Sequence, residues 1–449
     1  MNLTYIILVI ISFSVFGQCS KQISKNYLVS TNVTQSNIKE DFFELPAVIP
    51  SSKVKPPSME IEMDIPSHCR QNEFQIRSQE DLQDLSNCEI LIGNLIIQDF
   101  DYPIITFNNL EKILGNLTIK KSPEIVRIEA PLMELISGSF SMFELTSLAL
   151  ISFPALKWVN ILDWKILPIL SNVHFNNEIQ GIESITISDT SLTGFSGFLA
   201  DTIDNLDINN NRFLDTIESN VEVIRGKLHI GANANDVKVS LPKLKQINRV
   251  SISNVERLNL DELESVDDSL SLTNNYFQQI KFPKLSYVGG SLSLSGNEMV
   301  NDLEFPNLSE LGGGLVLTNN SLVERVNFLP KLRIIGGALE LVGVIKEISL
   351  KNLKLCKGSA SVKSTSPVFD CAKWSRSEII LVVRGGKIEC TDANNEKITS
   401  RTKDDGGELI TNSTLDVEYH ENKSNFAVLT TELSFIKFFT ILMFSFAII

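Results

Sequence analysis

The chain has 449 residues, with 40 Lys and Arg against 54 Asp and Glu, a net charge of −14 and an apolar fraction of 43 %. These figures exclude collagen, a disulfide miniprotein and a wholly disordered chain, because enough apolar residues are present to build a large core. The acidic surplus argues against nucleic acid as a partner, since phosphate is bound with Lys and Arg that displace counterions.

The first element in chain order is the apolar run Tyr5–Phe16, which has the length of a signal-peptide core and is short for a bilayer span. Val15-Phe16-Gly17 predicts cleavage after Gly17, so residues 1–17 read as a signal peptide. Residues 18–66, Pro-rich around VIPSSKVKPPS, read as a flexible extension. The segment from 67 to 90 holds Cys69, Cys88 and the stretch SQEDLQDL from Ser78, which has the pattern of a short capped helix.

From 91 to 355 the chain repeats itself. GNLII from Gly93, GNLTI from Gly115, GSFSM from Gly138, GKLHI from Gly226, GGSLSLSGN from Gly289, GGGLVLTNN from Gly312 and GGALELVG from Gly336 share one pattern. First strand positions fall at Leu95, Leu117, Phe140, Ile185, Leu206, Leu228, Val250, Leu270, Leu292, Leu315 and Leu339, with one blurred turn near Val159–Ile161. Steps of about 20 to 24 residues mean stacked coils, not separate globular domains. Each apolar-x-apolar triplet reads as a short strand with two side chains inward and one outward.

The rest of each coil follows from local chemistry. Asn209, Asn210, Asn274, Asn275, Asn297, Asn319 and Asn320 follow the triplets, where an Asn side chain can bond exposed backbone at a corner. A second corner recurs as Phe153-Pro154-Ala155-Leu156, Leu241-Pro242-Lys243-Leu244, Phe282-Pro283-Lys284-Leu285 and Phe305-Pro306-Asn307-Leu308; Phe328–Leu332 is the same corner with one residue inserted. Gly or Gly-Gly closes the coil, at a point requiring positive φ or close backbone approach. The ladder Phe282, Phe305, Phe328 is expected to be an internal stack and not a sugar platform.

A stack of this kind needs caps, because its ends expose core and strand edges. The segment 356–391, with Cys371, Trp374, Cys390 and the strand-like EIILVV from Glu378, reads as the second cap. No cysteine lies in a CxxC pattern, so zinc ribbons and thiol redox motifs have no support. The placement of the cysteines predicts bridges Cys69–Cys88 and Cys371–Cys390, each pair nineteen residues apart and each worth ~3 kcal/mol in the chain-entropy account. Cys356 and Cys19 are left without an assigned partner.

Residues 392–422 form an acidic linker, with six acids and no Lys or Arg between Asp404 and Glu421. The small-residue site at Asn422-Lys423-Ser424, the spacer Asn425 to Glu432 and the apolar tail Leu433–Ile449 have the layout of a GPI signal, with Asn422 as attachment residue and 423–449 as the removed propeptide. A tail-anchored or single-span protein is the alternative. Sequons at Asn32, Asn116, Asn307, Asn319 and Asn412 fit a secreted glycoprotein.

Catalytic chemistry is sparse. His68, His174, His229 and His420 form no i,i+4 pair, and no motif calls for a metal or other cofactor. Gly194-Phe195-Ser196-Gly197 lacks the spacing of a nucleophile elbow, and Gly312-Gly313-Gly314 lacks the Lys of a phosphate loop. The outward strand positions say more: Thr118, Ser141, Thr186, Asp207, His229, Ser251, Ser271, Ser293, Val316 and Glu340. Such a face, small and hydroxylated, reads either as a docking face for glycan or a wall protein, or as a solvated scaffold face chosen for β propensity.

Taken together, CxxxxFxIxxxxDLxxLxxC from Cys69 to Cys88, IGNLxI from Ile92, FPxLxxVGGSLxLxGN from Phe282 and the Phe369-Asp370-Cys371…Cys390 ending resemble the fungal GPI-anchored cell-wall-organisation proteins, a family that includes the yeast sporulation-specific spore-wall proteins. The resemblance covers roughly residues 69 to 390 and both terminal signals. It implies a mainly β fold: a leucine-rich-repeat-like, receptor-L-domain right-handed β-solenoid, here of about 11–12 coils of about 22 residues, with disulfide-bridged caps. It also implies a non-enzymatic surface glycoprotein, anchored through a GPI lipid at the plasma membrane or cell wall, that assembles the wall through polysaccharide or other wall proteins. The short acidic linker, in place of the family's long Ser/Thr-rich stalk, and the extension before Cys69 favour the sporulation branch. A receptor-like ectodomain binding a protein ligand and a glucan-modifying enzyme are the competing functions.

Overall fold

The computed structural model describes residues 65–376 and 379–401. Residues 1–64 and 402–449 are outside the described residues, and with them the signal peptide, most of the N-terminal extension, Cys19, Asn32, Asn412, Asn422 and most of the acidic linker. Among the described residues no helix is long and apolar enough to cross a membrane.

The apolar-x-apolar triplets stack into one long sheet whose strands all pair in parallel, save the last. The first inward position of each triplet sits opposite that of the next coil: Leu95 faces Leu117, Leu117 faces Phe140, and the alignment continues step by step to Leu315 opposite Leu339. The blurred turn is regular. Its strand is Trp158–Leu167, and Leu162 pairs with Phe140 on one side and Ile185 on the other. The fold is a β-solenoid of about 13 turns, slightly more than the repeats alone count. The reason is that both caps contribute coils of their own: Phe74 precedes Leu95 in the ladder, and Ala360 and Ile388 follow Leu339.

Burial follows the alternation. Leu270 and Leu272 are buried while Ser271 and Thr273 between and beyond them are partly exposed, the pattern a pleated strand imposes when one face is core. The second corner also buries its apolar pair, as at Phe305 and Leu308. Phe282 and Phe305 stack with ring centroids 5.2 Å apart, and Phe305 and Phe328 lie at 6.0 Å, so this ladder fills the interior of consecutive coils. The Gly-Gly corners at Gly289, Gly312 and Gly336 do their work by close approach, because none of their glycines has a positive φ. A Cβ on Gly312 would run into the Gly289 carbonyl of the preceding coil.

Asparagine supports two further positions. The residue three past the second inward side chain turns into the core, and there Asn211, Asn233, Asn275, Asn297 and Asn320 are buried. Asn297 shows the pattern. Its Oδ1 accepts from the backbone N–H of Asn275 at 3.0 Å, and its Nδ2 donates to the Leu272 carbonyl at 2.9 Å. Asn320 repeats this one coil on, accepting from Asn297 N–H at 3.0 Å. Turning a corner breaks the strand ladder, and this column of amides satisfies the backbone groups that the turn would strand in the core. The residue before each buried one takes the left-handed region, with φ of 58° at Asn210, 53° at Asn274 and 54° at Asn319.

The caps close the ends with short helices. Gln79–Asp84 begins at a capping box: Ser78 Oγ accepts from Asp81 N–H at 3.3 Å, and Asp81 Oδ2 accepts from Ser78 N–H at 2.9 Å. Cys69 and Cys88 are bonded across a Cα separation of 5.8 Å, and Cys371 and Cys390 across 5.6 Å. One expectation is overturned. Ile379–Val382, within the strand-like EIILVV, is a helical turn, and only Val383 bridges the sheet, next to Cys356. The β-branched side chains there pack against the core from a helix, with Ile379 buried and Ile380 and Val382 partly so: tertiary packing overrides strand propensity. The hairpin of Lys387–Thr391 with Lys397–Arg401 then ends the sheet as its one antiparallel pair.

Candidate functional site

Every outward residue singled out from the sequence falls on a single column of the sheet. Thr118 pairs with Ser141, Thr186 with Asp207, Asp207 with His229, His229 with Ser251, Ser251 with Ser271 and Ser271 with Ser293. Val316, Glu340, Ser361 and Glu389 continue it. The blurred turn concealed one member, Asp163, which lies between Ser141 and Thr186. Neighbouring members of the column are about 4.8 Å apart, the spacing of hydrogen-bonded strands.

The pleat puts a second outward column two residues on, which the triplets alone did not show. It runs through Lys120, Phe143, Lys165, Ser188 and Asn209, and later through Ser253, Thr273, Ser295 and Thr318. The signal for it was present, since strand side chains alternate with period two, but the triplet frame ended one residue early.

The two columns divide the face into two chemical halves. In the earlier half charges pair with one another. Lys165 Nζ lies 2.7 Å from Asp163 Oδ1, Lys227 Nζ lies 2.8 Å from Asp207 Oδ2, and His229 Nδ1 lies 2.8 Å from Asp207 Oδ1. Burial acts to raise the Asp207 pKa, but hydrogen bonds from His229, Lys227 and Asn209 outweigh it and hold the carboxyl well below the usual carboxylate range. In the later half Ser251, Ser253, Ser271, Thr273, Ser293, Ser295 and Thr318 cover consecutive coils with hydroxyls, interrupted only by Val316 beside Ser293. Ser271 meets Thr273 at 3.3 Å and Ser295 meets Thr318 at 2.7 Å. A hydroxyl has one donor and two acceptor lone pairs, so these contacts leave most of the bonding capacity of the block facing solvent.

The remaining site candidates separate by geometry. His68 lies beside Cys69 and Cys88, but both sulfurs are in the disulfide and supply no thiolate for a metal. Cys356 is buried with a free thiol, and burial pushes its pKa up, which keeps it protonated and unreactive. Asn116, Asn307 and Asn319 occupy three different structural positions. Asn116 Nδ2 donates to Asn94 Oδ1 at 3.0 Å inside the sheet, and Asn307 Nδ2 donates to the Pro283 carbonyl at 2.6 Å at a corner. Asn319 is exposed at a left-handed corner.

A capped, leucine-rich-type β-solenoid with a broad polar sheet face defines the class: a stacked-repeat scaffold. Comparison with known proteins makes the family definite. The chain is 37 % identical to sporulation-specific protein 22 of Saccharomyces cerevisiae over 376 residues, covering 83 % of this chain and 79 % of that protein. It is 33 % identical to sporulation-specific protein 2 of the same yeast, covering 83 % and 72 %. The cell surface GPI-anchored protein ECM33 of Candida albicans matches at 30 %, covering 76 % and 82 %. The chain therefore belongs to the family of fungal GPI-anchored cell-surface and cell-wall proteins that includes the sporulation-specific proteins, and its place is the cell surface and wall. No protein-family profile matches the sequence. No solved structure matches it either.

Proposed function

We propose that this protein is a non-enzymatic surface glycoprotein, held by a GPI lipid, that organises the fungal wall by docking wall polysaccharide on the hydroxyl half of its sheet face. The observation that carries the reading is the hydroxyl block from Ser251 to Ser295, continued by Thr318, flat, partly exposed and rich in unspent donors and acceptors. A polysaccharide presents the complementary pattern of hydroxyls along an extended chain, and many weak bonds in register sum to a specific contact. The identities to the sporulation-specific relatives, 37 and 33 %, exceed the 28 % to Protein ecm33 of Aspergillus fumigatus and favour action in the spore wall.

The test is to incubate the purified ectodomain with insoluble β-glucan. The protein is expected to pellet with the polymer and to release no soluble sugar. Released oligosaccharide would make it an enzyme, and protein left in the supernatant would remove glucan as the partner.

A further inference from the structure

The three sequons among the described residues are alike in sequence and unlike in what their amides do. Asn116 belongs to a column that links three coils. Its backbone N–H and its Nδ2 both donate to Asn94 Oδ1 at 3.0 Å, and its Oδ1 accepts from Ser139 N–H at 2.8 Å and Ser139 Oγ at 3.2 Å. The coil above crowds it as well, because a Cβ on Gly138 would collide with Asn116 Oδ1. Both ends of the Asn116 amide are bonded between coils, so an N-linked sugar on Nδ2 would have to be fitted against the neighbouring coil and would disturb these bonds.

Asn319 is the opposite case. Its φ of 54° belongs to the left-handed corner that recurs through the solenoid, where the backbone turns away from the sheet. Other corner residues use their side chains: Asn254 Nδ2 reaches the Asn274 carbonyl at 3.5 Å, and Asn210 bonds Asp189. The Asn319 amide has no such bond among the described residues, and the side chain is exposed. The sequon hydroxyl, Ser321, is exposed too, and Leu322 beside it is 53 % exposed, which offers the first sugar an apolar floor.

We propose that Asn319 carries an N-glycan and that the Asn116 sequon stays unmodified in the folded protein. The step joins Asn319 Nδ2 to the anomeric carbon of an oligosaccharide and breaks that carbon's bond to a lipid-linked diphosphate donor; the amide loses one proton and the lipid diphosphate leaves. The glycan then stands at the rim of the hydroxyl block, one residue past Thr318, and limits how far a bound polymer extends toward the C-terminal coils. This consequence rests on the docking reading above, whereas the choice between the two sequons does not.

Deglycosylation of the secreted protein from a fungal host in heavy-oxygen water, followed by peptide mass spectrometry, tests the assignment. The Asn319 peptide is expected to carry the label and the Asn116 peptide to lack it. In parallel, Ser321→Ala should remove one glycan's mass from the intact protein, while Thr118→Ala, which abolishes the other sequon without touching the Asn116 amide, should leave the mass of the glycans unchanged. Label on Asn116, an unlabelled Asn319, or a Ser321→Ala protein with wild-type glycan mass would overturn the proposal.

Discussion

The two halves of the outward face share a backbone register and differ in what their side chains have left to give. Around Asp163 and Asp207 the charges satisfy one another, with Lys165, Lys227 and His229 all within 2.8 Å of a carboxylate. In the two outward columns from Ser251 to Thr318 no residue is charged, and short side chains leave the sheet flat. The interior varies as well, though not at the same boundary: the inward corner position holds Phe100, Leu145 and Leu167 in early coils, Asn211 and Asn233 beneath the charges around Asp207, and Val255, Asn275, Asn297 and Asn320 beneath the hydroxyls. A solenoid can thus change its surface and its core chemistry coil by coil while the register stays constant, since each coil answers only to its neighbours. A self-satisfied patch stabilises the fold; an unsatisfied flat one is available for a partner.

The largest effect is expected beneath the hydroxyl half. Asn297→Ala removes the acceptor for Asn275 N–H and the donor to the Leu272 carbonyl, both buried. Two orphaned backbone groups cost about 3 kcal/mol in total, taken at one to two per group. Hydrogen exchange should show the protection lost in the coils around Asn275 and Asn320 first, with the early coils unaffected. Uniform loss along the whole stack would show that the coils are not the independent units the comparison requires.

A smaller effect is expected in the charged half. The Asp207 carboxyl is depressed in the folded state, so the stability it contributes is fully present above the unfolded carboxylate pKa, about 4, and is lost as pH falls below that value. Asp207→Asn should therefore cost on the order of 1 kcal/mol near neutral pH, and the gap should narrow steadily as the pH is lowered from about 4 to 2. Denaturant melts at several pH values measure it. A gap that does not narrow between about pH 4 and pH 2 would mean that the charge pairs are not its source.

Much of the solenoid was legible because its main signal is simple. An apolar-x-apolar triplet every twenty-odd residues marks both the period and the inward positions, and each expected ladder member from Leu95 to Leu339 lies in register. The Asp163 coil was obscured because WVNILDWKIL is apolar at too many positions for the triplet to stand out. The amide column was visible only in part. Asn209 and Asn210 drew attention by adjacency, yet the residue that turns inward is Asn211, and Asn233 stands in a stretch with no doublet. The helical turn at Ile379–Val382 was misread because four apolar, β-rich residues carry no period, so packing decides their shape. For the site, the first outward column could be read from the triplets, whereas its division into bonded charges and free hydroxyls depends on cross-coil distances that spacing does not encode.

The most direct test of the docking face replaces Ser251, Ser271 and Ser293 together with Lys and compares the variant with wild type in β-glucan pelleting. These positions are partly exposed and directly opposite one another on neighbouring strands, so three lysines add a like-charge cost of about 0.2 to 1 kcal/mol per pair, and a melt verifies that the variant stays folded. The account predicts a folded protein that stays in the supernatant. A folded variant that pellets like wild type would contradict it and leave the hydroxyl face as scaffold alone.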